Sequence, residues 1–165
     1  MPVHSLKLCW VHVIWGTKKR FGYFSSTKLK MKCLEIIKEI CSDNSIYLKT
    51  CYINPEHVHL LVDLSADISI SKMLKLIKGI SSRRLNEEMQ GKFEWARGYA
   101  AFSVSAGNVD GVVKYINRQS EHHRKMSFQE EWDKYIGHYL DAKEKYLPEN
   151  GEVAEATGLG GRGDV

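Results

Sequence analysis

An α+β domain is predicted, on three observations. Four short runs rich in β-branched and aromatic residues alternate with two long amphipathic stripes, in the order β-α-β-β-α-β. The chain has 165 residues, one domain's length and enough to bury a core without disulfides or a structural metal. Hydrophobic residues make up 43% and charged residues 27%, ordinary values for a soluble globular protein. Wholesale disorder, collagen, a disulfide scaffold and a membrane channel are excluded on these grounds, and no run approaches the ~18 apolar residues of a membrane span. The element order is the ferredoxin-like split β-α-β. It implies a four-stranded antiparallel sheet with two helices on one face and the other face available for a site.

The elements follow in order. Residues 7–15 (KLCWVHVIW) read as a strand whose blurred alternation suits cover on both faces. This start has no apolar stretch with a small-residue cleavage site, so no signal peptide is expected. From Thr27 to Asp43, Leu29, Cys33, Ile36, Ile37 and Ile40 fall on one stripe at helical spacing. Residues 46–53 (IYLKTCYI) form a second strand, Asn54-Pro55 a turn, and 57–64 (HVHLLVDL) a third strand. A second helix runs from Ser69 to Met89, with Ile70, Met73, Leu74, Ile77, Ile80 and Leu85 on its apolar stripe. After a 91–98 loop, 99–105 (YAAFSVS) is the fourth strand. Asn108 is placed to cap a third helix running to about Lys125, and an amphipathic segment spans 127–147. Residues 1–147 are expected as the functional domain. Residues 148–165 are expected as a disordered, acidic, Gly-rich tail.

Charge is distributed unevenly. The formal net charge is +4, yet the last 17 residues set Glu149, Glu152, Glu155 and Asp164 against Arg162 alone. The remainder holds 23 basic and 16 acidic residues, a balance that favours a polyanionic partner. Cys9, Cys33, Cys41 and Cys51 form no C-x-x-C pair, which argues against a zinc ribbon and for reduced, inert thiols in a cytoplasmic setting.

Three sets of residues could carry chemistry. His57 and His59 share one face of a strand, ~7 Å apart, and could converge on one metal ion. The plain alternative is two exposed polar residues on an edge strand. Tyr115 and Gln119 are four apart on the third helix, beside a buried stripe of Val109, Val112, Val113 and Ile116. A ring packed at the core margin and a solvated amide would explain them equally. Lys18, Lys19 and Arg20, with Lys72, Lys75, Lys78, Arg83 and Arg84, form the basic set. No acid stands between Asp67 and Glu87, a sign asymmetry that suits phosphate binding, although a solvated helix face is the commoner reason for such spacing.

Taken in order, these segments resemble a known family. Pro55-Glu56-His57-Val58-His59-Leu60-Leu61-Val62 resembles the HUH motif, two histidines flanking a bulky apolar residue. The stretches KGISSRRL (78–85), GYAAFSVS (98–105) and VKYINRQ (113–119) resemble its following helix, its fourth strand and its catalytic helix. Glu121-His122-His123-Arg124 and Ser127-Phe128-Gln129-Glu130-Glu131 extend the likeness. The family is that of the small tyrosine transposases of single-strand insertion sequences, close to the REP-associated tyrosine transposases. The resemblance covers residues 6–147.

The resemblance implies a DNA transposase that cleaves and rejoins single-stranded DNA at hairpin-bearing element ends. Tyr115 would be the nucleophile, leaving a 5′-phosphotyrosine and a free 3′-hydroxyl. His57, His59 and Gln119 would hold a divalent metal ion, magnesium or manganese, with manganese tolerating nitrogen better. The covalent link conserves the phosphodiester energy, so no nucleotide cofactor is expected, and the sequence has no P-loop. The implied partners are single-stranded DNA hairpins and a second copy of the chain. In a homodimer, active sites would be completed between subunits, and an exposed Leu61 would favour that docking; a monomer is the alternative, as in the REP-associated relatives. The expected setting is the prokaryotic cytoplasm, with no membrane contact.

Other readings are weaker. An RNA-recognition module shares the element order, and Tyr52 and Phe102 could stack bases, but the aromatic signature of such modules is missing. A two-histidine phosphodiesterase needs a second H-x-[ST]-like motif. A larger replication initiator or relaxase needs more chain. A non-mobile, regulatory REP-associated nickase or binder would keep the same residues.

Overall fold

The computed structural model describes residues 6–146, so the expected tail at 148–165 lies outside the described residues. The chain divides into two compact units, one ending at Phe128 and one beginning at Gln129. The first contains β1 (Trp10–Gly16), α1 (Thr27–Asp43), β2 (Tyr47–Ile53), β3 (His57–Asp63), α2 (Ile70–Met89), β4 (Ala100–Val104), α3 (Val109–Asn117) and α4 (Gln119–His122). The strands form one antiparallel sheet in the order β2-β3-β1-β4. This is the α+β split β-α-β sheet expected from the sequence.

The two inner strands, β1 and β3, are almost wholly buried, which is why their alternation is blurred in the sequence. Val11, Val13, Trp15, Val58, Leu60 and Val62 point to one face. There they meet Cys33, Ile36, Ile37 and Ile40 of α1 and Met73, Leu74, Ile77 and Leu85 of α2. Each such side chain contributes roughly 1.5–3 kcal/mol on burial. The thiol of Cys41 is pushed up to about 11 by the same burial, so it stays protonated and unreactive at neutral pH.

The opposite face carries His12, His57, His59 and Leu61. A bulge in β2 between Leu48 and Thr50 resets the alternation there, so that Leu48 packs with the inner core while Thr50 pairs with Leu61. Helix α3 lies on this outer face: Leu61, Val109 and Ile116 bury one another, with Trp10, Tyr52, Val104, Val112, Val113 and Tyr115 packed around them. The Thr50 hydroxyl donates to Asn117 Oδ1 at 2.9 Å, tying the end of α3 to the sheet. Leu61 is therefore covered by its own chain rather than exposed as expected.

Two local expectations are corrected. The third helix does not run unbroken to Lys125; it stops at Asn117 and restarts as α4. Arg118 leaves helical geometry (φ −98°, ψ 16°), and its amide is shared between the carbonyls of Lys114 and Tyr115. Asn108 occupies the cap position of α3 but makes no side-chain cap bond; a short 3-10 turn at Ala106–Asn108 precedes the helix instead. By contrast, Ser69 caps α2 by accepting from the Lys72 amide at 3.2 Å.

The 91–98 connection is fastened to α2. The Asn86 amide clamps the Phe93 backbone from both sides, donating to its carbonyl at 3.0 Å and accepting from its N–H at 2.8 Å. Trp95 Nε1 donates to buried Ser81 Oγ. Helix α5 (Phe128–Tyr146) starts at the last residue of the first unit, and the rest of it is the described part of the second. Within it the Tyr135 hydroxyl donates to Glu131 one turn earlier, at 3.0 Å.

Candidate active site

β3 delivers His57 and His59 to the outer face, and both are fully buried. β3 is an inner strand, which disposes of the exposed edge-strand alternative. Burying two imidazoles is tolerable only when their nitrogens are engaged. His57 Nδ1 faces Glu56 Oε1 at 3.2 Å. A carboxylate only accepts, so Nδ1 carries the proton and Nε2 is left as an acceptor. The Asn54 amide donates to that Nε2 at 3.0 Å. The His57 hydrogen bond holds the Glu56 carboxyl below the usual carboxylate range, against the opposing pull of partial burial.

His59 is held from the other side. Its Nδ1 lies 2.9 Å from Nε2 of His12, a buried residue of β1. The two rings stack with centroids 5.2 Å apart. In the β1–β3 register His12 pairs with Leu61 and Ile14 with His59, so His12 is the diagonal neighbour of His59 on the same face. A His59 that donates from Nδ1 to His12 keeps Nε2 as a lone pair.

Gly16 stands opposite His57. A Cβ there would come within 3.2 Å of the Phe128 ring, which stacks flat on His57 with centroids 3.9 Å apart. A side chain at position 16 would have to push that ring back by a few tenths of an ångström. The Arg20 guanidinium lies 5.3 Å from the centroid of the same Phe128 ring.

Helices α3 and α4 bring the remaining groups. The half-buried Tyr115 ring has its centroid 6.0 Å from that of His59 and 6.2 Å from that of His12. The break at Arg118 turns Gln119 inward, and its side chain is fully buried. Gln119 Oε1 accepts from Asn54 Nδ2 at 3.5 Å, the long limit of such a bond. One amide NH₂, the positive end of a dipole, therefore faces both the His57 and the Gln119 acceptors. These two acceptors and a nitrogen of His59 are a donor set that fits a divalent cation of the manganese type. The structure thus gathers Tyr115, His57, His59 and Gln119 around one patch of a single chain.

The basic set is not gathered. Lys72, Lys75 and Arg83 are exposed and line a shallow groove with Ile68, Leu76 and Gly79 on α2. That helix packs on the inner face, across the sheet from the histidines. Lys78 donates to the carbonyls of Ala96 (2.8 Å) and Gly98 (3.0 Å), and partial burial lowers its pKa. Arg84 pairs with Glu39 at 2.7 Å and Lys18 with Glu94. Lys19 and Arg20 take left-handed backbone angles (φ 54° and 55°) just after β1.

Sequence reasoning gave no site role to His12, Asn54, His123 or Phe128. His12 looks like one more member of an aromatic strand, and Asn54 like an ordinary turn residue before proline. Strand alternation alone could have flagged His12, since it shares parity with Ile14 opposite His59.

Comparison with known proteins gives the family and the fold. A transposase from Deinococcus radiodurans, ISDra2 transposase TnpA, is 28% identical over 117 residues, covering 67% of this chain and 83% of that protein. The transposase for insertion sequence element IS200 of Salmonella typhimurium is 26% identical over 125 residues, covering 72% of this chain and 81% of its own. In fold, a Deinococcus radiodurans transposase crystal structure matches with a TM-score of 0.59 at 24% identity, over 72% of this chain and 96% of that one. A REP-associated tyrosine transposase bound to a REP hairpin matches with a TM-score of 0.54 at 14% identity, over 100% and 99%. The class these likenesses define is a transposase, an enzyme acting on DNA. Within that class the chain belongs to the IS200-like transposase family, whose profile matches residues 5–119. No helix among the described residues is long and apolar enough to cross a membrane.

Proposed function

We propose that this transposase cleaves and rejoins single-stranded DNA at hairpin-bearing element ends through a 5′-phosphotyrosine on Tyr115. The observation that carries the reading is the approach of the Tyr115 ring to His59, 6.0 Å between centroids, on a sheet face where two buried histidines and a buried glutamine meet. The relative whose structure holds a REP hairpin supports a hairpin as the DNA partner.

In this reading the Tyr115 hydroxyl gives its proton to solvent and its oxygen attacks the scissile phosphorus, the bond from phosphorus to the 3′ oxygen breaks, and that oxygen takes a proton from solvent and leaves as a 3′-hydroxyl. A free phenol, with a pKa of ~10, is a poor nucleophile at neutral pH. A divalent ion held by His57, His59 and Gln119 would supply charge neutralisation at the phosphate when bound. The chain's own residues do the rest. Glu56 and His12 fix the two imidazoles through their Nδ1 atoms, Phe128 shields the His57 ring from water, and α3 orients the phenol. Attack by a 3′-hydroxyl on the phosphotyrosine reverses the step, so rejoining needs no nucleotide cofactor. Within α2, Lys72, Lys75 and Arg83 are the exposed bases available to DNA backbone, since Lys78 and Arg84 are already engaged within the chain; Lys19 and Arg20 lie nearer the histidine face.

The expectation of a site shared between two subunits came from the family resemblance, with an exposed Leu61 among its supports. With Leu61 under its own α3, the reading adopted for this chain is a site completed within one subunit.

The decisive experiment is a denaturing gel with 5′- and 3′-labelled single-stranded hairpin DNA. The wild type should give a covalent protein–DNA adduct that maps to Tyr115, and Tyr115→Phe, which removes one oxygen from a half-buried ring, should give none. An adduct that persists in the Phe variant would overturn the assignment.

A further inference from the structure

We infer that His123 is a third imidazole ligand of the metal site, making it a three-histidine centre with Gln119 as an accessory oxygen donor. The inference rests on the reading of His57 and His59 as metal ligands. It adds a residue that neither the strand pattern nor the family likeness assigns.

Three observations carry it. First, a nitrogen of His123 lies within 4.8 Å of the nitrogens offered by His57 and His59. Ligands of one ion with bonds of ~2.1 Å stand roughly 3–4 Å apart, so shifts of about an ångström close the set. The His57 and His123 rings already meet edge to face, with centroids 4.6 Å apart. Second, the tautomer of His123 is fixed for ligation. Its Nδ1 lies 3.0 Å from the Met126 carbonyl, which can only accept, so Nδ1 carries the proton and Nε2 presents the lone pair. A ligating histidine anchored to a backbone carbonyl through its other nitrogen is the usual arrangement around protein-bound metals. Third, Gln119 opens the short α4 and His123 closes it, with the His123 amide bonded to the Gln119 carbonyl at 2.9 Å. Residues four apart on such a turn face the same way, so the helix break that turns Gln119 inward carries His123 with it.

Three imidazoles change the chemistry of the site. Magnesium is a hard ion that prefers oxygen and keeps its waters, whereas manganese, cobalt and zinc accept nitrogen. The inference therefore predicts that the protein binds Mn²⁺ or Co²⁺ at least about tenfold more tightly than Mg²⁺ before any DNA is present.

The test uses the full chain without DNA, loaded with Mn²⁺ or Co²⁺. Calorimetry gives affinity, and pulsed electron paramagnetic resonance of the Mn²⁺ form counts coordinated imidazoles. Two variants separate ligation from structure: His123→Ala, and His123→Asn, whose amide can keep the hydrogen bond to Met126 while removing Nε2. The wild type should show three imidazoles. Both variants should show two and bind the ion at least about tenfold more weakly, with thermal melting of His123→Asn close to wild type. If the wild type shows two imidazoles and His123→Asn binds as tightly as wild type, His123 is structural and the inference is overturned while the two-histidine reading stands. If the wild type binds neither ion, or binds with affinity unchanged in the His57→Ala, His59→Ala double variant, the metal reading itself falls, and this inference with it.

Discussion

The two faces of the sheet are built from the same strands and do opposite things. On the inner face β3 contributes Val58, Leu60 and Val62 to a core of aliphatic side chains, where free energy comes from area removed from water. On the outer face the same strand contributes His57 and His59, equally buried, whose stability depends on the bonds of both His57 nitrogens to Glu56 and Asn54 and of His59 Nδ1 to His12. Leu61 is the outer face's apolar anchor and holds α3 in place. The difference teaches that burial by itself does not mark a residue as structural. On the inner face burial is the purpose; on the outer face it costs free energy, and a hydrogen-bond network offsets that cost while keeping lone pairs aimed at one place.

Substitutions along β3 sharpen the contrast. Leu60→Ala should cost roughly 2–5 kcal/mol of unfolding free energy, because the closely packed inner face cannot collapse around the void. His59→Ala, one residue away, should cost only ~1–3 kcal/mol by removing the hydrogen bond to His12, yet should suppress DNA cleavage far below the wild-type rate. Urea denaturation monitored by circular dichroism, set beside the adduct gel, reads both effects. Equal stability losses with cleavage retained in His59→Ala would erase the distinction between the faces.

A smaller effect is expected from α2. Neutralising Lys72, Lys75 and Arg83 together should lower the magnitude of the log–log salt slope of DNA binding by about one for each phosphate that the variant no longer neutralises. Fluorescence anisotropy across a salt series measures it, and an unchanged slope would leave those bases as a merely solvated helix face.

The smallest effect lies at the far end of β3. Asp63 accepts from Lys7 Nζ at 2.8 Å and from the Cys9 amide at 2.9 Å, and the Lys7 bond, followed by that amide, holds its carboxyl below its ordinary value. A carboxyl with a folded pKa below its unfolded ~3.9 stabilises the fold fully above about pH 4, and the contribution fades as pH falls through the lower folded value. Asp63→Asn should therefore lower stability by under ~1 kcal/mol at pH 6, with the difference vanishing at the acid end of a stability–pH profile. A gap that widened on acidification would have the wrong sign.

Much of this molecule is legible in its sequence because its signals are periodic. His57 and His59 are visible as a pair because strands alternate with period two, and the α1 and α2 stripes because helices repeat near 3.6. What stays hidden is non-periodic. Arg118 ends α3 without glycine or proline, so nothing local announces that Gln119 and His123 turn inward. Lys78 looks like one more base on a basic helix, since its partners are carbonyls of a loop 18 to 20 residues further on. His12 reads as an aromatic strand residue until the β1–β3 register sets it diagonal to His59. The cover that α3 gives Leu61 depends on where a helix docks, and neither spacing nor composition encodes that directly.

The central claim is that one chain's outer sheet face holds both the nucleophile and its histidines. Mixing two inactive proteins tests it most directly: Tyr115→Phe, and the His57→Ala, His59→Ala double variant, incubated together under conditions that permit subunit exchange and then given labelled hairpin DNA. With the site completed within one subunit, every molecule in the mixture lacks part of it, and no adduct should form. An adduct in the mixture, in proportion to mixed dimers seen by sedimentation, would contradict the account, because only a tyrosine reaching a partner's histidines could produce it.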